Sequence, residues 1–176
     1  MMKRSRLIAR VAIFSALAYV FAYASFYIPN VSLIFIVIFA AGAIYGIRVG
    51  ILVGGIGEFL WTVFNPYGMA TVPTMISQIV GMILVGALGG FLYGFPFIKK
   101  VSPTGFIIFA IYGLLSGLVF QILLNGVEAW LYGPFWEYLL AGMSFALFTI
   151  FSNMVIFPVC YPVIVKLCSA ESKIGI

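Results

Sequence analysis

Apolar residues run in long, nearly unbroken stretches along the chain, separated by short clusters of Pro, Gly and Asn. A segment that crosses a hydrocarbon core of about 30 Å needs roughly 17–25 predominantly apolar residues. Six segments qualify, at about 7–27, 31–47, 49–65, 73–95, 104–126 and 138–164. Pro29-Asn30, Asn65-Pro66-Tyr67-Gly68, Pro96, Pro103 and Gly133-Pro134 fall between them, where helices stop or start. The closest junction is Gly46-Ile47-Arg48, where two short segments follow each other almost without a loop. The pattern predicts an all-α membrane protein of six transmembrane helices, one integral membrane domain over residues 1–176. Pro158 and Pro162 are expected to kink or end the last helix.

Composition turns this pattern into a class. Of 176 residues, 65% are hydrophobic, 18% aromatic and only 7% charged, and the mean hydropathy is +1.25. Soluble domains carry about 25% charged residues, and thirteen charged side chains cannot cover the surface of a water-soluble globule. A soluble domain, a disordered chain, a disulfide scaffold and a nucleic-acid module are all excluded. The chain belongs in a bilayer, as a multi-pass protein of the cell membrane. The first apolar run is longer than the core of a cleavable signal peptide and has no small-residue cleavage site, so it is expected to stay as a span.

The missing residues narrow the chemistry. Histidine and aspartate are absent, and the four acids are Glu58, Glu128, Glu137 and Glu171. That removes most metal sites and Ser-His-Asp catalysis. No glycine-rich run ends in Lys-Ser or Lys-Thr, so the chain cannot itself use ATP. An enzyme is not expected, nor a metal or cofactor. Cys160 and Cys168 read as packing thiols in a reducing compartment.

Charge sets the expected orientation. Lys3, Arg4, Arg6 and Arg10 precede the first span, Arg48 follows the second, Lys99 and Lys100 follow the fourth, and Lys166 and Lys173 follow the sixth. With both termini cytoplasmic, every cation lies inside, as the positive-inside rule requires. Glu128, Trp130, Tyr132, Trp136, Glu137 and Tyr138 then form an outer loop with an aromatic cluster suited to the interface.

Small residues and buried polar groups carry the remaining information. Gly42, Gly46, Gly50 and Gly54, and again Gly86, Gly90 and Gly94, recur every four residues and predict close helix packing. In the first span, Ala12/Ala16 and Ala18/Ala22 lie about 600° apart in helical rotation and face different sides. One pair can pack internally while the other offers a smooth groove to a second membrane protein. Glu58 is the one acid well inside a span, where an ionisable group is a functional hypothesis by default. Glu58, Trp61 and Asn65 share a helix face, Gln78 lies one turn into the next span, and Gln121 and Asn125 share the outer end of the fifth. These groups converge on the extracellular half, as in a small-molecule pocket with apolar walls and a few oriented polar groups. Asn153, deep in the sixth span, reads as a residue that bonds helix to helix.

The ensemble resembles the substrate-binding S component of energy-coupling-factor (ECF) transporters. The resemblance rests on six spans with both ends inside and a basic N-terminus running into Ala12-xxx-Ala16. It rests further on the Ala41-Gly42-Ala43-Ile44-Tyr45-Gly46 to Gly57-Glu58 stretch, the Asn65-Pro66-Tyr67-Gly68 turn and the small-residue span from Gln78 to Gly94. It implies a transmembrane coupling subunit docked on Ala12 and Ala16, and two cytosolic ATPase subunits that drive a toppling of the S component. It implies a water-soluble vitamin or vitamin precursor as ligand, with Glu58, Trp61, Asn65, Gln78, Gln121, Asn125 and Trp130 as candidate binding residues and the loop between the first two spans as a cap. An acid beside aromatic rings would suit a flat, nitrogen-rich or cationic heterocycle, with thiamine or its pyrimidine precursor as the first choice. The reading from a different class is a non-transporting six-helix assembly or cell-shape protein, with the same alanine face and no pocket. A stand-alone secondary transporter would need a coupling-ion site, for which Glu58 is the one buried candidate.

Overall fold

The computed structural model describes residues 4–173, so Lys3 lies outside the described residues. Seven helices follow in chain order: α1 Arg4–Ser25, α2 Ile34–Tyr45, α3 Ile47–Phe64, α4 Val72–Phe91, the single turn α5 Pro96–Lys99, α6 Pro103–Tyr132 and α7 Phe135–Lys173. No strand occurs among the described residues. Five of the helices are long and apolar enough to cross a membrane: α1, α3, α4, α6 and α7. Their outward faces are apolar, with Ile107, Phe148 and Val159 among the most exposed side chains. A contiguous apolar exterior of this kind is covered by lipid.

The expected second span is the exception. It shortens from 31–47 to the 12 residues of α2, about 18 Å at 1.5 Å per residue. Ten of the twelve are buried, with Ile38, Phe39 and Ala41 fully so. A helix that is apolar on every side belongs inside a protein core. Sheathed by its neighbours, α2 has no hydrocarbon thickness of its own to match. It packs against α1, α3, α4 and α7.

Glycine explains how the helices come so close. A Cβ built on Gly42 of α2 or on Gly50 of α3 would overlap the backbone carbonyl of Gly86 in α4. Three helix backbones therefore meet at one point, where any side chain would force them apart. Gly46 is the whole junction between α2 and α3, and its φ of 91° is open to glycine and strained for other residues. That left-handed residue lets two helices join without a loop.

Of the two outcomes expected for proline in α7, ending the helix does not occur. Pro158 and Pro162 both lie inside a helix that continues to Lys173, so neither ends it. The fully buried Tyr161 sits between them. Its hydroxyl donates to the Phe97 carbonyl at 2.7 Å and accepts from the Ser102 amide at 3.1 Å, which ties the α5 turn to α7. The Ser102 side chain in turn caps α6 by accepting from the Gly105 amide at 3.1 Å.

The described cations gather at one end of the bundle. Arg10 bonds Glu171 across from α7 and lies 4.4 Å over the Tyr45 ring, and the Ser169 hydroxyl donates to the Lys99 carbonyl. These contacts bring the start of α1, the end of α2, the α5 turn and the end of α7 together. The loops 26–33 and 65–71 and the α6–α7 turn lie at the opposite end. That last connection is only Gly133-Pro134. Glu128, Trp130 and Tyr132 are helical residues of α6, and Trp136, Glu137 and Tyr138 form the first turn of α7. The anticipated outer loop is thus a tight helical hairpin, because the apolar pattern of α6 extends past residue 126.

Candidate functional site

Glu58 is 1% exposed and its Oε2 has no hydrogen-bond partner among the described residues. It lines a cavity of about 200 Å³ at the end of the bundle away from the cations. An unsatisfied buried polar group costs about 1–3 kcal/mol, so this oxygen is held without a protein partner at a real expense. Glycines on its own helix explain why it is buried. Gly54 and Gly57 let α3 press against α4 and α1, where a Cβ on Gly57 would meet the Ala18 methyl at 3.1 Å. Glu58, one turn after Gly54 on the same packed side of α3, is carried into the bundle with them.

The cavity is walled by six helices and two loops. Glu58 and Trp61 come from α3, Gln78 and Met82 from α4, Phe120 and Gln121 from α6, and Thr149 from α7. Ala22 and Ser25 of α1 and Ile34 and Phe35 of α2 complete the helical wall, and Phe26, residues 28–32 and Tyr67 close it. The loop is held down by Ser25, whose hydroxyl donates to the Phe21 carbonyl at 2.9 Å and accepts from the Leu33 amide at 3.1 Å. Phe26 then packs on Tyr67, which joins the two loops over the cavity.

Two amides present their nitrogens. The Thr62 hydroxyl donates to Gln78 Oε1 at 2.7 Å, and Asn125 Nδ2 donates to Gln121 Oε1 at 3.0 Å. Each glutamine carbonyl is thereby taken by the protein. Each NH2 group remains as a donor without a partner among the described residues. The lining is otherwise aliphatic and aromatic, the character of a small-molecule pocket.

The seven sequence-derived candidates separate here. Glu58, Trp61, Gln78 and Gln121 line the cavity. Asn65 does not; its side chain builds the 65–68 turn, donating to the Gly68 carbonyl at 3.0 Å and accepting from the Tyr67 amide at 2.9 Å. Asn125 is buried behind Gln121 and packs against Gly142. Trp130 is 76% exposed and stands apart from the cavity, because α6 carries it beyond the bundle core. Thr62 and Thr149 escape sequence reasoning, whereas the loop between the first two spans, expected as a cap, does line the cavity. A lone hydroxyl in an apolar helix carries no distinctive pattern, although Thr62 lies one turn after Glu58. Asn153 bonds the Thr149 carbonyl of its own helix at 3.0 Å, with no bond to a neighbouring helix.

A larger cavity of about 610 Å³ opens at the cation-rich end, around Arg10, Tyr45, Tyr93, Lys99 and Glu171. Its central charges neutralise each other in the Arg10–Glu171 pair. None of the buried polar atoms without a partner lies on its walls. Glu58 marks the smaller cavity as the site with unfilled bonding capacity.

Among the described residues no group of three or more His, Cys, Asp or Glu is placed to hold a metal. On α1, Ala18 and Ala22 are buried against the bundle, whereas Ala12 and Ala16 are exposed. The family model described as the ECF transporter, substrate-specific component, matches residues 6–165 of the chain. Neither a curated protein nor a solved structure matches it.

Proposed function

The chain belongs to the substrate-specific components of ECF transporters, and from that premise we propose that it captures a water-soluble vitamin or vitamin precursor in the Glu58 cavity. The family role is substrate binding without catalysis, within a multi-pass membrane protein. The observation that carries the reading is the buried Glu58 carboxyl, which has an unfilled hydrogen-bonding position at the wall of a cavity. A ligand donor placed there removes the cost of that orphan oxygen.

The cavity end faces outward and both termini face the cytoplasm, because the cations collect at the opposite end. Ligand therefore enters from outside. At about 200 Å³ the cavity is smaller than the roughly 300–1,000 Å³ of sites for drug-sized ligands. That favours a single ring over two linked rings. A carboxyl, two amide donors and the Trp61 ring suit a flat nitrogen heterocycle with an amino group. The pyrimidine precursor of thiamine is the preferred candidate, ahead of thiamine itself.

Uptake needs energy that this chain does not supply. A transmembrane coupling subunit docks on the exposed Ala12/Ala16 face of α1, where small side chains allow close helix approach, and two cytosolic ATPase subunits drive release inside. The test is a thermal-shift and binding panel of water-soluble vitamins and precursors on the purified protein, with mass spectrometry of any co-purified compound. A bound ligand stabilises the fold by mass action. Stabilisation by a vitamin-like heterocycle is the expected result; no response to any member of the panel overturns the reading.

A further inference from the structure

The hydrogen bonds behind the cavity wall constrain which ligand the cavity accepts. Gln78 and Gln121 are two-faced side chains, each able to offer either a carbonyl acceptor or an NH2 donor. In isolation either could rotate its amide and accept ligands of opposite polarity. Both are biased against doing so by a neighbour that does not itself line the cavity. Thr62, 1% exposed on α3, donates to Gln78 Oε1 at 2.7 Å across the α3–α4 interface. Asn125, 7% exposed on α6, donates through Nδ2 to Gln121 Oε1 at 3.0 Å and also to the Gln121 carbonyl at 2.8 Å.

We infer that Thr62 and Asn125 are positioning residues that set the hydrogen-bond polarity of the binding cavity, so that it accepts a ligand with a donor for Glu58 and acceptors for Gln78 and Gln121. The inference rests on the binding role proposed above and deepens it. Flipping the Gln78 amide would turn the Thr62 hydroxyl from donor to acceptor and leave its O–H to find another acceptor in a buried setting. Flipping the Gln121 amide would bring its NH2 against the Asn125 NH2, two donors facing each other. Burial makes such mismatches costly because no water replaces the lost partner. The wall therefore reads acceptor at Glu58 and donor at each glutamine. A site that hydrogen-bonds its ligand rejects one lacking the matching group far more strongly than an apolar pocket does.

An amino-substituted pyrimidine satisfies this arrangement, with its exocyclic amine as donor and its ring nitrogens as acceptors. Its oxo counterpart exchanges donor and acceptor along the same edge and violates it. The full chain in lipid nanodiscs is titrated calorimetrically with two probes, 4-amino-5-hydroxymethyl-2-methylpyrimidine and the 4-oxo analogue. Wild type is expected to prefer the amino probe by at least tenfold. Thr62→Val, nearly isosteric, is expected to reduce that preference at least fivefold, and Thr62→Ser to restore it. Asn125→Leu reports on Gln121 independently and is expected to reduce the preference in the same way. A purely structural role would alter both affinities together and leave their ratio unchanged. If wild type binds and both Thr62→Val and Asn125→Leu keep the full preference, this inference is overturned while the binding role stands. If wild type binds neither probe, the assignment of an aminopyrimidine ligand falls, and the inference with it.

Discussion

The ring of Phe26 lies 4.6 Å, centroid to centroid, from the ring of Tyr67. These residues come from the α1–α2 loop and the α3–α4 turn, and both line the Glu58 cavity. Their contact joins the two loops over the cavity. Aromatic pairs of this kind contribute about 0.5–1.5 kcal/mol beyond their burial. Phe26→Ala is therefore expected to raise the ligand dissociation rate by about tenfold and to leave the melting temperature nearly unchanged. Stopped-flow binding against a competitor measures this; an unchanged off-rate would show that the loop contact does not retain ligand.

Glu58 gives a pair of opposed outcomes. Its Oε2 is buried without a partner, so an uncharged amide is tolerated at least as well in the empty protein. Glu58→Gln is expected to hold or raise thermal stability while lowering affinity for the vitamin ligand by about tenfold or more, the equivalent of about 1.4 kcal/mol. Calorimetry and a melting curve on the same sample read both. Unaltered affinity for every candidate vitamin would exclude this carboxyl from the site.

The two alanine pairs of α1 allow the proposed docking to be tested apart from folding. Ala12 and Ala16 are exposed, and Ala18 is fully buried against Gly57 of α3. Ala12→Trp or Ala16→Trp should abolish co-purification with the coupling subunit and leave ligand binding intact. Ala18→Trp should instead collapse stability, since overpacking a tight core costs about 1–3 kcal/mol or more. Retention of the complex by the Ala12/Ala16 double variant would move the docking surface elsewhere.

Gly86 stands where the backbones of α2, α3 and α4 meet. Adding even one methyl sets it against the Gly50 carbonyl, a rigid neighbour. Gly86→Ala is expected to destabilise the protein by about 1–3 kcal/mol, in spite of alanine's better helix propensity. Thermal melting in detergent checks the sign, and Gly55→Ala is the control, since the nearest atom there is a flexible Ile83 methyl at 3.6 Å.

How far residues could be placed from the sequence depended on whether their role was local. Membrane residence follows from apolar length, because a bilayer imposes the same requirement on each crossing helix in isolation. The Gly42, Gly50 and Gly86 contacts were readable as small-residue spacing. Glu58 stood out because an acid within an apolar run is costly wherever it faces. The 65–68 turn hid its own meaning, since Asn65 shares a helical register with Glu58 while its amide is consumed by the Gly68 carbonyl and the Tyr67 amide.

What the sequence alone determined is therefore the medium, the helical class and the end at which cations gather. Each depends on hydrophobic length and charge summed along the chain. The tertiary structure decided which helix is sheathed, which alanine pair is left bare and which polar groups share a cavity. It alone set Thr62 against Gln78 and Asn125 against Gln121, and it alone laid Phe26 on Tyr67. Those relationships join residues from different elements, or depend on how a rotatable side chain is turned. Neither has a signature in residue order, because each is settled only when the helices pack and every buried donor seeks an acceptor.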